Sequence, residues 1–136
     1  MLRIILGVLA GAVAAMLLVG GLEAASHLVF PPPPGLDPFN PDDQAKLIAM
    51  MPLGAALAVV AAWTAGAFGG ALTAILIARR AWAGWIIAAL IAAGGIFTVV
   101  SIPHPLWMQI AAGVAPLIGG WLAGVVAKRW KPAAAG

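Results

Sequence analysis

Four apolar runs, at roughly residues 4–30, 47–78, 82–102 and 105–127, constrain what this chain can fold into more than any other feature. A membrane-spanning helix needs about 20 predominantly apolar residues, and each run is long enough. The runs are rich in Ala, Leu and Gly and do not alternate polar with apolar residues, as the strands of a membrane barrel must. They therefore predict an all-α fold, an integral membrane four-helix bundle that forms a single domain over residues 1–136.

The composition excludes a soluble globular domain. Hydrophobic residues make up 64% of the chain and charged residues only 8%, whereas a soluble domain is about a quarter charged. A domain of this size could not hide so much apolar surface from water, so lipid must cover it. The net charge of +3 comes from residues at the ends of the runs rather than on one basic face, and we therefore expect no nucleic-acid partner.

The basic residues predict an orientation. Counted along four antiparallel spans, one side of the membrane receives Arg3, Arg79, Arg80, Lys128, Arg129 and Lys131. Because cytoplasmic loops carry an excess of Lys and Arg, this side is predicted to be cytoplasmic, with both termini on it. The expected location is the bacterial inner membrane, as a multi-pass protein, with all four acids and both histidines toward the periplasm.

The first run has an alternative interpretation as a cleaved signal peptide, since Arg3 precedes it and Ala24-Ala25-Ser26 offers small residues for cleavage. The apolar stretch from Ile4 to Leu22 is longer than the core of about 7 to 15 residues that signal peptides have, which favours a retained helix.

Residues 31–46 are predicted to form a periplasmic loop that contains a short helix. Four consecutive prolines from Pro31 end the first span, because proline cannot donate a backbone hydrogen bond. Asn40 is a good N-cap, Pro41 suits the first helical position, and acidic residues follow in the first turn. We expect an interfacial helix over residues 41–51 and a kink at Pro52, where the second span would otherwise be too long for the bilayer.

Aromatic residues mark both membrane surfaces. Trp82, Trp85 and Trp130 fit an aromatic belt on the cytoplasmic side, and Trp107 fits one on the periplasmic side. Trp63 and Trp121 lie deeper, where helix packing or lipid contact accounts for them.

Three ionisable residues are candidate metal ligands. Glu23 and His27 are four residues apart and share one helix face, about 28 Å or more from the start of the first span, which places them near the outer boundary of the hydrocarbon. His104 lies at a similar depth in the turn before the fourth span. A carboxylate and two imidazoles suit zinc or another divalent ion. Two alternatives stay open: a structural role, in which Glu23 secures the loop and His104 caps the fourth span, and proton or ion passage.

No enzymatic activity is predicted. The chain has no cysteine, no glycine-rich phosphate-binding loop followed by Lys, and only Ser26 and Ser101 as serine nucleophiles, which no triad pattern accompanies. No cofactor is expected apart from the candidate divalent metal.

Three functions remain. The first is a structural or accessory component of a homo-oligomer or a larger membrane complex, whose partners are membrane lipids, further copies of the chain or other membrane proteins. It is favoured by pairs of glycines four residues apart, which allow helices to approach closely: Gly7/Gly11, Gly66/Gly70 and Gly120/Gly124. The second is a small cation transporter or channel, and the third is an outer-face protein that binds a metal or another ligand through Glu23, His27 and His104.

Several short motifs resemble those of a group of small four-span bacterial inner-membrane proteins without assigned function. They are the Glu23/His27 pair, PPPPGLDP at residues 31–38, Pro-Leu-Gly at residues 52–54, and IPHPLW at residues 102–107. The resemblance covers most of the chain and implies that the outer-face cluster recurs as a unit. It implies no activity, substrate or mechanism.

Overall fold

The computed structural model describes residues 1–130, which form five helices and no strand. In chain order the helices are α1 (Leu2–Val29), α2 (Pro41–Ala49), α3 (Leu53–Ala78), α4 (Ala81–Ser101) and α5 (Leu106–Trp130). All except α2 are long and apolar enough to cross a membrane, so the predicted all-α architecture with four spans is confirmed. Lys131, one of the predicted cytoplasmic residues, lies outside the described residues.

The helices end where the backbone cannot continue them. Arg79 ends α3 in a left-handed conformation with φ of 56°, and α4 begins two residues later at Ala81. Pro52 has an extended ψ of 151° and lacks an amide hydrogen, so it separates α2 from α3. The second span consequently starts at Leu53 and not at residue 47, as predicted from the hydrophobic run. Residues 47–49 belong to α2.

Helix α3 is central to the bundle. It contacts α1, α4 and α5, whereas α1 and α5 do not touch each other. Sequential spans are antiparallel: the start of α1, at Gly7, lies against Ala78 at the end of α3, and Gly120 in the second half of α5 lies against Ala88 in the first half of α4. The bundle therefore has a basic end, carrying Arg3, Arg79, Arg80, Lys128 and Arg129, and an opposite acidic end, where the loop of residues 30–52 and the α4–α5 turn lie.

Glycine allows the backbones of α1 and α3 to approach closely. A Cβ on Gly11 would lie 2.6 Å from the carbonyl oxygen of Gly70, and a Cβ on Gly70 would lie 2.6 Å from the carbonyl oxygen of Gly11. Two predicted glycine pairs thus meet at one crossing. The third pair is divided, because Gly120 packs against Ala88 while a Cβ on Gly124 would meet nothing within 4 Å.

The two ends of the bundle are packed differently. The cluster toward the basic end consists mostly of buried alanines around Ile75 and Ile87. The cluster toward the acidic end contains larger side chains, Trp63, Val99 and Met108. The side chains that fill the core are therefore smaller in the first cluster than in the second.

Candidate functional site

The loop at the acidic end is ordered by its own polar side chains. Asn40 is the N-cap of α2, as predicted, and its side chain accepts a hydrogen bond of 3.0 Å from the Asp42 amide. The Asp43 carboxylate accepts a hydrogen bond of 3.0 Å from the Asp37 amide and a longer one of 3.4 Å from Lys46. Asp43 thereby connects the start of α2 to the turn that follows the prolines. The hydrogen bond from Asp37 holds the pKa of Asp43 below its ordinary value of 3.8.

This connection makes the loop sensitive to acid. Because the folded-state pKa of Asp43 is lowered, its stabilising effect is complete above the ordinary value and is lost as the pH falls through the folded-state pKa. We expect the Asp37 amide to lose its hydrogen bond over that range, which its NMR chemical shift and hydrogen exchange would report. In Asp43→Asn the acid-dependent change should be absent, and in Asp42→Asn, whose side chain makes no hydrogen bond to the loop, it should persist. An unchanged titration in Asp43→Asn would contradict this assignment.

A groove of about 400 Å³ lies between α1 and α4 in the half of the bundle toward the acidic end. Its α1 wall carries Met16, Val19, Gly20 and Glu23, and its α4 wall carries Leu90, Ile91, Gly94, Gly95 and Thr98. Trp63 of α3 lies at its base, with 6% of its surface exposed. The groove therefore combines apolar walls with one carboxylate and one indole ring, at a level where the flanking helices are within their membrane-spanning segments.

The Glu23 carboxylate makes no hydrogen bond of ordinary geometry with any residue of the described part of the chain, although the Trp63 indole lies near it. Within the described residues, the one hydrogen bond from a side chain to Glu23 is donated by the Ser26 hydroxyl to the Glu23 backbone carbonyl, at 2.8 Å, and does not involve the carboxylate. His27 is one turn further along α1 and close enough to act on Glu23 electrostatically. Its side chain, however, lines a different cavity.

That second cavity, of about 310 Å³, lies beneath the proline-rich loop. Its walls are mainly apolar and come from the end of α1, the prolines, α2 and the start of α3, with His27, Ser26 and Gln44 as polar members. Gln44 donates a hydrogen bond of 2.7 Å to the Pro38 carbonyl, which holds the loop over the cavity. The Phe30 ring lies directly on Gly54, where a Cβ would be 2.6 Å from it.

The three candidate metal ligands do not form a common site in one chain. The Nδ1 atom of His104 lies 2.6 Å from the Ile102 carbonyl and donates to it, so the ring turns toward its own turn rather than capping α5. Glu23 faces the groove, and His27 faces the cavity under the loop. Within residues 1–130 no three His, Cys, Asp or Glu side chains are close enough to hold a metal ion. The three-ligand metal site thus stays a prediction that the geometry of a single chain does not support.

Sequence reasoning missed the role of Trp63 and of the glycines in the groove. The burial of Trp63 agrees with the helix packing predicted for it, whereas Trp121 is 57% exposed on the lipid-facing surface. No pattern in the sequence indicates that Trp63 and Glu23 share one groove, because that depends on which side of α1 faces α4.

The bundle and its groove define the class of the molecule: a multi-pass helical membrane protein, with four helices able to cross a membrane. Comparison with models of known protein families, with curated proteins and with solved structures finds nothing that matches this chain. Its function must therefore be inferred from its own residues.

Proposed function

We propose that the protein is a non-enzymatic integral membrane protein of the bacterial inner membrane that serves as a structural component and assembles laterally with a second copy of itself. The observation that carries the proposal is the open position of Gly21 on α1, where a Cβ would meet nothing within 4 Å. Two other glycines of the same helix, Gly7 and Gly11, already pack closely against α3. Small residues left open on a membrane helix are what a second helix needs for close approach.

Gly21 belongs to a stripe of small residues on one flank of α1. Ala14 lies two turns before it, and Ala10 and Ala25 extend the same side by a further turn in each direction. Gly21 and Ala25 are exposed, and Ala10 and Ala14 are half-buried. Gly20 lines the groove on the other flank of α1 and is not part of this stripe. A two-fold axis along the membrane normal would bring two such stripes together.

The orientation proposed for this assembly has the basic end in the cytoplasm. Of the Lys and Arg residues within positions 1–130, five, at positions 3, 79, 80, 128 and 129, share that end of the bundle, and Lys46 alone lies at the other. Cytoplasmic loops are enriched in such residues, and the short loops here are the kind to which the rule applies. The prolines, α2 and the candidate residues Glu23, His27 and His104 would then be on the periplasmic side.

Transport of a cation is a second candidate, favoured by the position of Glu23 in the groove. A transmembrane pathway needs further polar or ionisable groups deeper in the bilayer. Residues 53–78 and 81–101 contain no acid, His, Lys or Arg. The groove is therefore better suited to hold a ligand than to conduct one across the membrane, and lateral assembly remains the proposal.

Cysteine crosslinking in native membranes tests the assembly. The chain has no cysteine of its own, so Gly21→Cys introduces a single reactive thiol. We expect oxidation or a short bismaleimide to convert Gly21→Cys largely to a covalent dimer. Gly94→Cys is the matched control, because Gly94 is equally open but lies on α4 in the groove, and it should stay monomeric.

A bulky residue at the same position gives an independent measurement. Gly21→Leu should shift the protein toward monomer in native mass spectrometry, because its side chain separates the two helices, while Gly124→Leu should leave the distribution unchanged. Absence of any dimer for Gly21→Cys, together with a monomeric wild type, would refute lateral self-assembly. Crosslinking of Gly94→Cys but not of Gly21→Cys would show that two copies meet through α4, and it would contradict the proposed interface on α1.

A further inference from the structure

We propose that the groove between α1 and α4 is a binding site for a lipophilic organic cation, with Glu23 as the counter-charge and Trp63 as the aromatic contact. The site is independent of the proposed self-assembly, since the groove lies on the opposite flank of α1 from Gly21. The volume of about 400 Å³ is in the range that small-molecule sites occupy.

The charge of the ligand follows from Glu23. Its carboxylate lines the groove, at a depth where an ionised side chain is costly without a full partner. Among the described residues, the Trp63 indole lies near the carboxylate without a hydrogen bond of ordinary geometry, and His27 acts on it from one turn away but lines the other cavity. The α4 wall supplies only Thr98 as a polar side chain, and its hydroxyl already donates 2.9 Å to the Gly94 carbonyl. A cation would complete the site, whereas an anion would be repelled.

The apolar body of the ligand follows from the walls. Met16, Leu90 and Ile91 offer flexible and branched apolar surface, and Met is well suited to adapt to ligands of different shape. A small hydrated metal ion would gain nothing from such walls, and one carboxylate is too few ligands for it. Among aromatic side chains, the indole of tryptophan attracts cations most strongly, at distances of up to about 6 Å from the ring centre. Trp63 supplies such a ring to the groove.

The glycines of α4 make room for the ligand. A Cβ on Gly94 would meet nothing within 4 Å, so this position borders empty space in the groove. Gly95 differs, because its Cβ would be 3.1 Å from the Ala112 carbonyl on α5, and it serves helix packing. A side chain added at residue 94 would therefore fill the groove without disturbing the bundle.

Tetraphenylphosphonium is the probe that tests the site, because tetraphenylborate has nearly the same shape and the opposite charge. With the full-length protein in lipid nanodiscs, we expect saturable binding of tetraphenylphosphonium above the level of empty nanodiscs, and none of tetraphenylborate. Glu23→Gln should weaken binding about tenfold or more, and Asp42→Asn, a matched loss of carboxylate on exposed α2, should leave it unchanged. Trp63→Phe keeps a ring of lower cation affinity and should cause a smaller loss.

Gly94→Leu keeps the test decisive if Glu23→Gln fails to fold. It retains the carboxylate and fills the groove, so binding should be lost, whereas Gly124→Leu, open but remote from the groove, should bind as the wild type does. The proposal is overturned if the wild type shows no saturable binding, if tetraphenylborate binds as well as tetraphenylphosphonium, or if either folded groove variant retains wild-type affinity.

Discussion

Replacement of Gly70 by valine is expected to destabilise the folded bundle by about 3 kcal/mol, the upper end of what overpacking a close-packed core costs. A Cβ at this position would lie 2.6 Å from both the Gly11 carbonyl oxygen and the Ala15 Cβ. Both neighbours are backbone or backbone-bound atoms, which cannot turn aside as the end of a long side chain can. Loss of helical signal on titration with sodium dodecyl sulfate, monitored by circular dichroism, gives the measurement.

The matched control for this substitution is Gly124→Val, because the same side chain enters open space there. Its free energy of unfolding should lie within about 0.5 kcal/mol of the wild-type value, as is usual for surface substitutions. Equal stability of Gly70→Val and Gly124→Val would mean that α1 does not rest on α3 through glycine. The expected difference is large because α1 has α3 as its main neighbour and does not touch α5. Separating α1 from α3 would therefore expose most of the surface that α1 buries.

The fold could be predicted from the sequence because each span has to satisfy the same constraint. A chain in lipid must pair its backbone groups within the segment, so length and apolar composition are enough to identify a helix. The same holds for local breaks: Asn40 begins α2 and Pro52 separates α2 from α3, as elementary backbone chemistry requires, although α2 ends at Ala49 rather than at the predicted Met51. The start of the second span was predicted less accurately, because Leu47 and Ile48 are apolar whether they lie in a span or on the half-buried side of the amphipathic helix α2.

The candidate site could not be predicted in the same way. In a soluble helix the polar face shows which side is buried, but these spans are apolar all round, and hydrophobic periodicity does not distinguish protein contacts from lipid contacts. Gly20 and Gly21 illustrate the difficulty: they are identical neighbours, yet one lines the groove and the other does not. Glu23 and His27 share a face by spacing, but Glu23 lines the groove beside α4 and His27 lines the cavity beneath the proline-rich loop, so the pair does not converge on a common site with His104.

Trp63→Ala should destabilise the other half of the bundle by about 3 to 5 kcal/mol, the cost of truncating a buried aromatic side chain. Trp63 is 6% exposed and packs with Val99 and Met108 in the cluster toward the acidic end. Here α1 and α4 are spread by the groove, so little backbone contact can compensate for the lost ring. The cavity that remains would be continuous with the groove, and relaxation could close only part of it.

Trp121→Ala separates this packing effect from the general value of a tryptophan in a membrane. Trp121 is also in a spanning helix but is 57% exposed, so its removal exchanges one lipid contact for another and should change stability by less than about 1 kcal/mol. The same detergent titration measures both variants. If Trp63→Ala were no less stable than Trp121→Ala, the acidic half would be held by the loop and α2 instead of by its core. In that case Asp43→Asn, which releases the loop, should have the greater effect. If Trp63→Ala alone is destabilised, the indole at the base of the groove has two functions: it holds α3 against α4 and α5, and it forms the floor on which a ligand of Glu23 would rest.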